Sequence, residues 1–192
     1  MDTIQMTPDQ IRARTARFGE LKPMSTLRDS KEVPLAARDL FLARKIMPIV
    51  LEQTANAFGT DAAIYGAAGL TMNISVCPPG QGPGLHVHHK TFETFFVLSG
   101  RFEFSLNDDG GEKVVLNQYD TVSVPPGVSR GFRNVSDADA MMLTVITGGV
   151  HDRNDISLLP QMAEDLDRFG PGVLDAVKAI GLSFDAGRKT PA

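Results

Sequence analysis

Three side chains able to donate lone pairs stand close together in this chain: His86 and His88, separated by one residue, and Glu93 shortly after them. Two neutral imidazoles and a carboxylate suit a first-row divalent metal and leave coordination positions open for water, substrate or oxygen. Left uncoordinated, Glu93 would instead be a candidate base. On a strand, residues two apart share a face, so His86 and His88 point one way while Leu85 and Val87 point the other. His89, adjacent to His88, is then expected to face outward. Glu93 opens an apolar run in which Phe95 and Val97 alternate with it, and its carboxylate reaches the same cavity as the imidazoles.

The spacing itself is specific. Gly80, His86, His88, Glu93 and Gly100 fall in the order G-x5-H-x-H-x4-E-x6-G. At this chain's residue frequencies, such a pattern arises by accident with a probability on the order of 10⁻⁵. At every fixed position it resembles the first signature of the cupin superfamily. The second signature of that family, G-x5-P-x-G-x2-H-x3-N, is met in part. Pro125, Gly127 and Asn134 keep their mutual spacing, while Tyr119 stands at the initial glycine and Arg130 at the histidine.

The resemblance implies an all-β fold, a cupin jelly-roll β-barrel with short N- and C-terminal helical extensions. It implies a divalent transition metal held by His86, His88 and Glu93, with iron first and Mn, Ni, Zn or Cu as alternatives. Relatives with the complete pattern use the second-signature histidine as a further ligand. Arg130 stays protonated and has no lone pair to offer. It is therefore either an ion-pair partner of Glu93 in the ion's place or the group that binds a substrate anion. Glu93 and Arg130 are the candidate catalytic residues. The activity implied is that of a metal-dependent enzyme acting on a small organic anion, an oxidoreductase similar to the quercetin dioxygenase-like cupins. A metal-free small-molecule-binding cupin and a non-redox isomerase or lyase are the alternatives, because one fold hosts many activities. A homodimer follows from the same resemblance, with the N-terminal segment a candidate to cover the partner's sheet.

Short strands must position these residues. Between about residues 63 and 149, apolar runs alternate with turn residues at the spacing of a sandwich or barrel. Strands are expected at Leu70–Val76, Glu93–Leu98, Arg101–Leu106, Glu112–Leu116, Thr121–Val124 and Met141–Thr147. A hairpin about Ser99-Gly100 would join the second and third of these. Arg44–Glu52 reads as an earlier strand whose Pro48 suits an edge. Phe95, Phe132 and Met72 are expected in the core, and His151 on a loop beyond the last strand. Thr7 and Pro8 mark the start of a short helix. Leu159–Phe169 and Gly172–Ile180 read as two further helical pieces. Leu159, Met162, Leu166 and Phe169 share a face for packing on the barrel or a partner, with no catalytic duty. The organisation expected is an N-terminal extension at 1–43, a barrel at 44–149 and a C-terminal extension at 150–192.

Composition bounds the rest. At 192 residues, with 42% hydrophobic and 22% charged residues, the chain suits one soluble domain. A net charge of −4 with no basic run argues against nucleic acid and anionic membranes. Cys77 is the only cysteine, so no intrachain disulfide forms, and the polar N-terminus does not resemble a signal peptide. The expected location is cytoplasmic.

Overall fold

The computed structural model describes residues 2–24, 31–52, 62–148 and 154–187. Thr7 caps the first helix, α1 (Pro8–Ala13), in a reciprocal capping box with Gln10. A short helix, α2 (Leu35–Arg38), leads into β1 (Lys45–Leu51), which is followed by β2 (Ile64–Tyr65) and β3 (Leu70–Cys77). The histidines lie on β4 (His86–His88), and Glu93 lies on β5 (Phe92–Ser99). Next come β6 (Phe102–Leu106), β7 (Glu112–Leu116), β8 (Thr121–Val124), β9 (Arg130–Asn134) and β10 (Ala140–Thr147). The last described elements are β11 (Ile156–Leu158), α3 (Pro160–Asp167) and α4 (Val173–Ala179). Among the described helices none is long and apolar enough to cross a membrane.

The strands form a six-stranded sheet, β2-β1-β3-β10-β5-β8, and a five-stranded sheet, β11-β4-β9-β6-β7. The protein is mostly β, and the two sheets are consistent with a jelly roll. They are not closed into the continuous barrel expected from the sequence. Two further expectations are corrected. β5 and β6 do not form a hairpin: β5 pairs with β10 and β8, whereas β6 pairs with β7 and β9. The turn at Gly100, with φ of 75°, carries the chain from one sheet to the other. A Cβ at Gly100 would lie 2.5 Å from that of Ala140, so both its backbone angle and its surroundings require glycine. Met72, expected in the core, lies on the opposite face of β3 from Thr71 and Asn73, which line the interior.

Pro48 is accommodated as expected. β2 pairs only with Val50 and Leu51, and the register against β3 shifts between Pro48 and Val50. Strand β11 was not foreseen; three residues are too short for periodicity to separate from loop.

The interior divides in two. One cluster, with Phe95, Phe102, Phe104, Phe132, Val97 and Met142, packs between the sheets. The other joins residues from both extensions, including Val33, Phe41, Leu158, Leu166 and Val177. Of the expected α3 face, Leu166 is fully buried, but Phe169 is 39% exposed.

Candidate metal centre

Strand alternation places His86 and His88 on the inner face, both buried, and Glu93 reaches them from the facing sheet. The Nε2 atoms of His86 and His88 lie 3.7 and 3.5 Å from Glu93 Oε2. All three potential ligand atoms lie within 4.8 Å of one another. His89 is exposed, as expected, and its Nε2 lies 2.7 Å from Ser157 Oγ. His151 lies outside the described residues.

The other ring nitrogens are engaged. His86 Nδ1 sits 2.9 Å from the Gly84 carbonyl, which can only accept, so Nδ1 carries the proton and Nε2 the lone pair. His88 Nδ1 lies 3.0 Å from Thr91 Oγ1 and 3.3 Å from Asp155 Oδ2. Burial pushes His88 down from 6.5 to about 4, keeping the imidazole neutral near pH 7. Burial alone would raise the Glu93 pKa, but His88, His86 and Arg130 outweigh it and hold the carboxyl at about 2.

Three acceptors thus converge: two imidazole lone pairs and an ionised oxygen. Glu93 Oε2 is buried and receives no hydrogen bond among the described residues. Such a set calls for a cation. An ion taking nitrogen and oxygen ligands at about 2.0–2.2 Å bridges donor atoms separated as the His–Glu pairs are. The residues present therefore fit a divalent metal.

Arg130 pairs in register with His86, so both side chains enter the same interior. Its Nε lies 3.4 Å from Glu93 Oε2, and the side chain is fully buried. Among the described residues, none of its guanidinium nitrogens has a hydrogen-bond partner. Desolvation lowers its pKa, opposed by Glu93 and Asp155. It does not form part of the adjoining cavity wall.

That cavity, of about 120 Å³, opens beside His86, His88 and Glu93. Thr71, Asn73, Ser75 and Thr144 form a polar stripe on one side. Much of the remaining wall is apolar and comes from the extensions: Met24 and Phe41 before β1, and Ile156, Leu158 and Leu182 after β10. The C-terminal segment, read from sequence as packing only, therefore reaches the cavity. Asp155, fully buried beside His88, was also missed. The local sequence carries no signal for it, because Asp155 meets Thr91 from 64 residues away.

A family model described as "Cupin domain" matches residues 73–146, which span both signatures and most of the strands. Residues 73–146 are thus a cupin domain, which supports membership of the cupin superfamily. An oxalate-binding protein of Thermotoga maritima is 33% identical over 69 residues, covering 36% of this chain and 54% of that protein. The polyketide synthase CurC of Streptomyces cyaneus is 28% identical over 117 residues, covering 61% of this chain and 69% of its own length. The crystal structure of a predicted oxalate decarboxylase from Thermotoga maritima aligns with a TM-score of 0.38 at 29% identity. That alignment covers 41% of this chain and 66% of the other. The chain thus spans about half the length of the oxalate-binding relative.

Proposed function

We propose that this cupin is a divalent-metal-dependent enzyme acting on a small organic anion, an oxidoreductase of the dioxygenase type. The observation that carries the reading is the convergence of two imidazole lone pairs and the undonated Glu93 oxygen at one end of a small cavity. A divalent ion held by His86, His88 and Glu93, iron by preference, would polarise a bound oxygen and, if redox-active, supply electrons to dioxygen.

The chain's own residues do the rest. Gly84 and Thr91 orient the imidazoles, and the apolar wall excludes water around the substrate body. Arg130 holds Glu93 in its ionised form and gives this end of the interior a positive field that draws an anion. Two unit charges about 4 Å apart interact by roughly 4 kcal/mol at an effective dielectric near 20, and a divalent ion doubles that. Arg130 and the ion therefore repel, and a bound anion relieves the repulsion. An anionic ligand is expected to tighten metal binding. The Thermotoga relative's name makes oxalate the first anion to try.

A second reading rests on the 3.4 Å approach of Arg130 to Glu93: a metal-free binding module with the guanidinium in the ion's place. Elemental analysis of untagged protein purified without added metal separates the two, with bound transition metal expected. Arg130→His, which offers a further imidazole, should raise metal affinity about tenfold or more while lowering turnover of an anion. Oxygen consumption with oxalate and other small carboxylates then tests the reaction class. Release of CO₂ without oxygen uptake would instead favour a non-redox lyase, and binding without turnover a carrier.

A homodimer is part of the proposal. The outer face of the six-stranded sheet presents Met72, Leu143, Val145 and Phe96, incompletely covered by the chain itself. Ile4, Ile11 and Phe18 of the N-terminal segment are 94%, 53% and 57% exposed. A second copy would bury both surfaces. Light scattering should give twice the chain mass, falling to one in Leu143→Lys.

A further inference from the structure

Asp155 is 0% exposed and lies on the segment that becomes β11. Its Oδ1 accepts from Lys90 N at 2.7 Å, and its Oδ2 from the Thr91 hydroxyl at 2.6 Å. Because Thr91 has one proton and gives it to the carboxylate, its oxygen can only accept at the His88 contact of 3.0 Å. His88 Nδ1 must then carry the hydrogen. In a neutral imidazole, that leaves the lone pair on Nε2, which faces Glu93.

We infer that Asp155, acting directly and through Thr91, is a positioning residue that fixes the tautomer of His88. The C-terminal segment thereby sets the metal affinity of histidines carried by the sheet. The consequence for metal rests on the reading proposed above; the tautomer does not. A carboxylate taken wholly out of water is unfavourable unless well partnered. A simple tether for β11 needs no such group, since the backbone already supplies His89 N to Asp155 O at 2.8 Å. Carboxylates and hydroxyls behind a ligating imidazole fix its orientation, and their loss costs about 10–100-fold in metal affinity.

Asp155→Asn tests the direction of the relay. With its oxygen kept by Lys90 N, the new amide would donate to Thr91, whose proton would turn to His88 Nδ1 and drive the ring hydrogen to Nε2. Long-range ¹H–¹⁵N spectra of the metal-free, full-length protein report this, the His88 signal being assigned by its loss in His88→Gln. The expected result is an Nδ1–H ring in the wild type, an Nε2–H ring in Asp155→Asn, and about 10–100-fold weaker Co²⁺ binding in that variant. Thr91→Ser should behave as wild type. Should Asp155→Asn not fold, Thr91→Val, which removes the hydroxyl and keeps the direct 3.3 Å contact of Asp155 with His88, should give a smaller loss of Co²⁺ affinity. Ser157→Ala, which alters β11 without touching the relay, should change neither readout. An unchanged tautomer and Co²⁺ affinity in Asp155→Asn would overturn the inference, as would Ser157→Ala weakening Co²⁺ equally. A wild type that binds no Co²⁺ would overturn the metal reading, while the tautomer still decides the positioning role.

Discussion

Glu93 and Phe95 leave the same face of β5 two residues apart, yet they enter surroundings governed by different forces. Phe95 meets Phe104 at 4.9 Å and Phe132 at 5.4 Å between ring centroids, in a cluster held by burial alone. Glu93 meets His86, His88 and Arg130, none of which donates a hydrogen bond to its Oε2. The first region is satisfied as it stands. The second has more buried polar atoms than partners, and that deficit marks it as a place for a ligand. Stability should follow the aromatic end, and binding the polar one.

The sharpest way to break this contrast is in the aromatic cluster. Phe104→Ala should cost about 3–5 kcal/mol in urea denaturation, while metal content per folded chain stays at the wild-type value. The converse experiment removes two ligands. His86→Ala with His88→Ala should weaken metal binding by more than about 100-fold, with a smaller shift in the metal-free denaturation midpoint than Phe104→Ala causes. Metal retained in that double variant would refute the proposed site.

Acid should separate the regions next. His88 titrates near 4 in the folded chain against 6.5 ordinarily, so below pH 6.5 the unfolded chain takes up a proton that the folded chain refuses. Stability of the metal-free protein should therefore fall by about 3 kcal/mol between pH 6.5 and 4, most of it absent in His88→Gln. Glu93, depressed from 4.5 to about 2, should add a further loss as pH falls below 4.5. Thermal melts at stepped pH check both, and a flat profile to pH 4 would show that His88 is not held neutral.

The smallest effect lies outside both regions. Tyr119 replaces the first glycine of the second signature but keeps a positive φ of 74°. Tyr119→Gly should stabilise the fold by about 1 kcal/mol, relieving a backbone conformation costly to a residue with a Cβ. The exposed ring, with centroids 6.2 Å from Phe96, gives little in return. A lower melting temperature in that variant would show that the Phe96 contact outweighs the strain.

Much of the polar end was legible in the sequence. Histidines two apart must share a strand face, and strands β7 and β8 fall at the expected bounds because their apolar runs end at turn residues. The apparent hairpin at Ser99-Gly100 failed because local turn chemistry does not say to which sheet the next strand returns. Met72 failed because β3 is apolar on its outer face, while its inner face carries Thr71, Asn73 and Ser75 for the cavity.

The sequence by itself pointed to the candidate ligand set His86, His88 and Glu93, the substitution at Arg130 and the likeness to cupins, since all of these depend on short-range spacing and strand alternation. Tertiary structure alone decided that Asp155 stands behind His88, that Arg130 approaches Glu93 at 3.4 Å without a hydrogen bond, and that both extensions wall the cavity. Those contacts join residues far apart along the chain. No periodicity encodes them, and they form only when β11 pairs at the edge of the five-stranded sheet and burial of apolar side chains brings the segment before β1 against the strands.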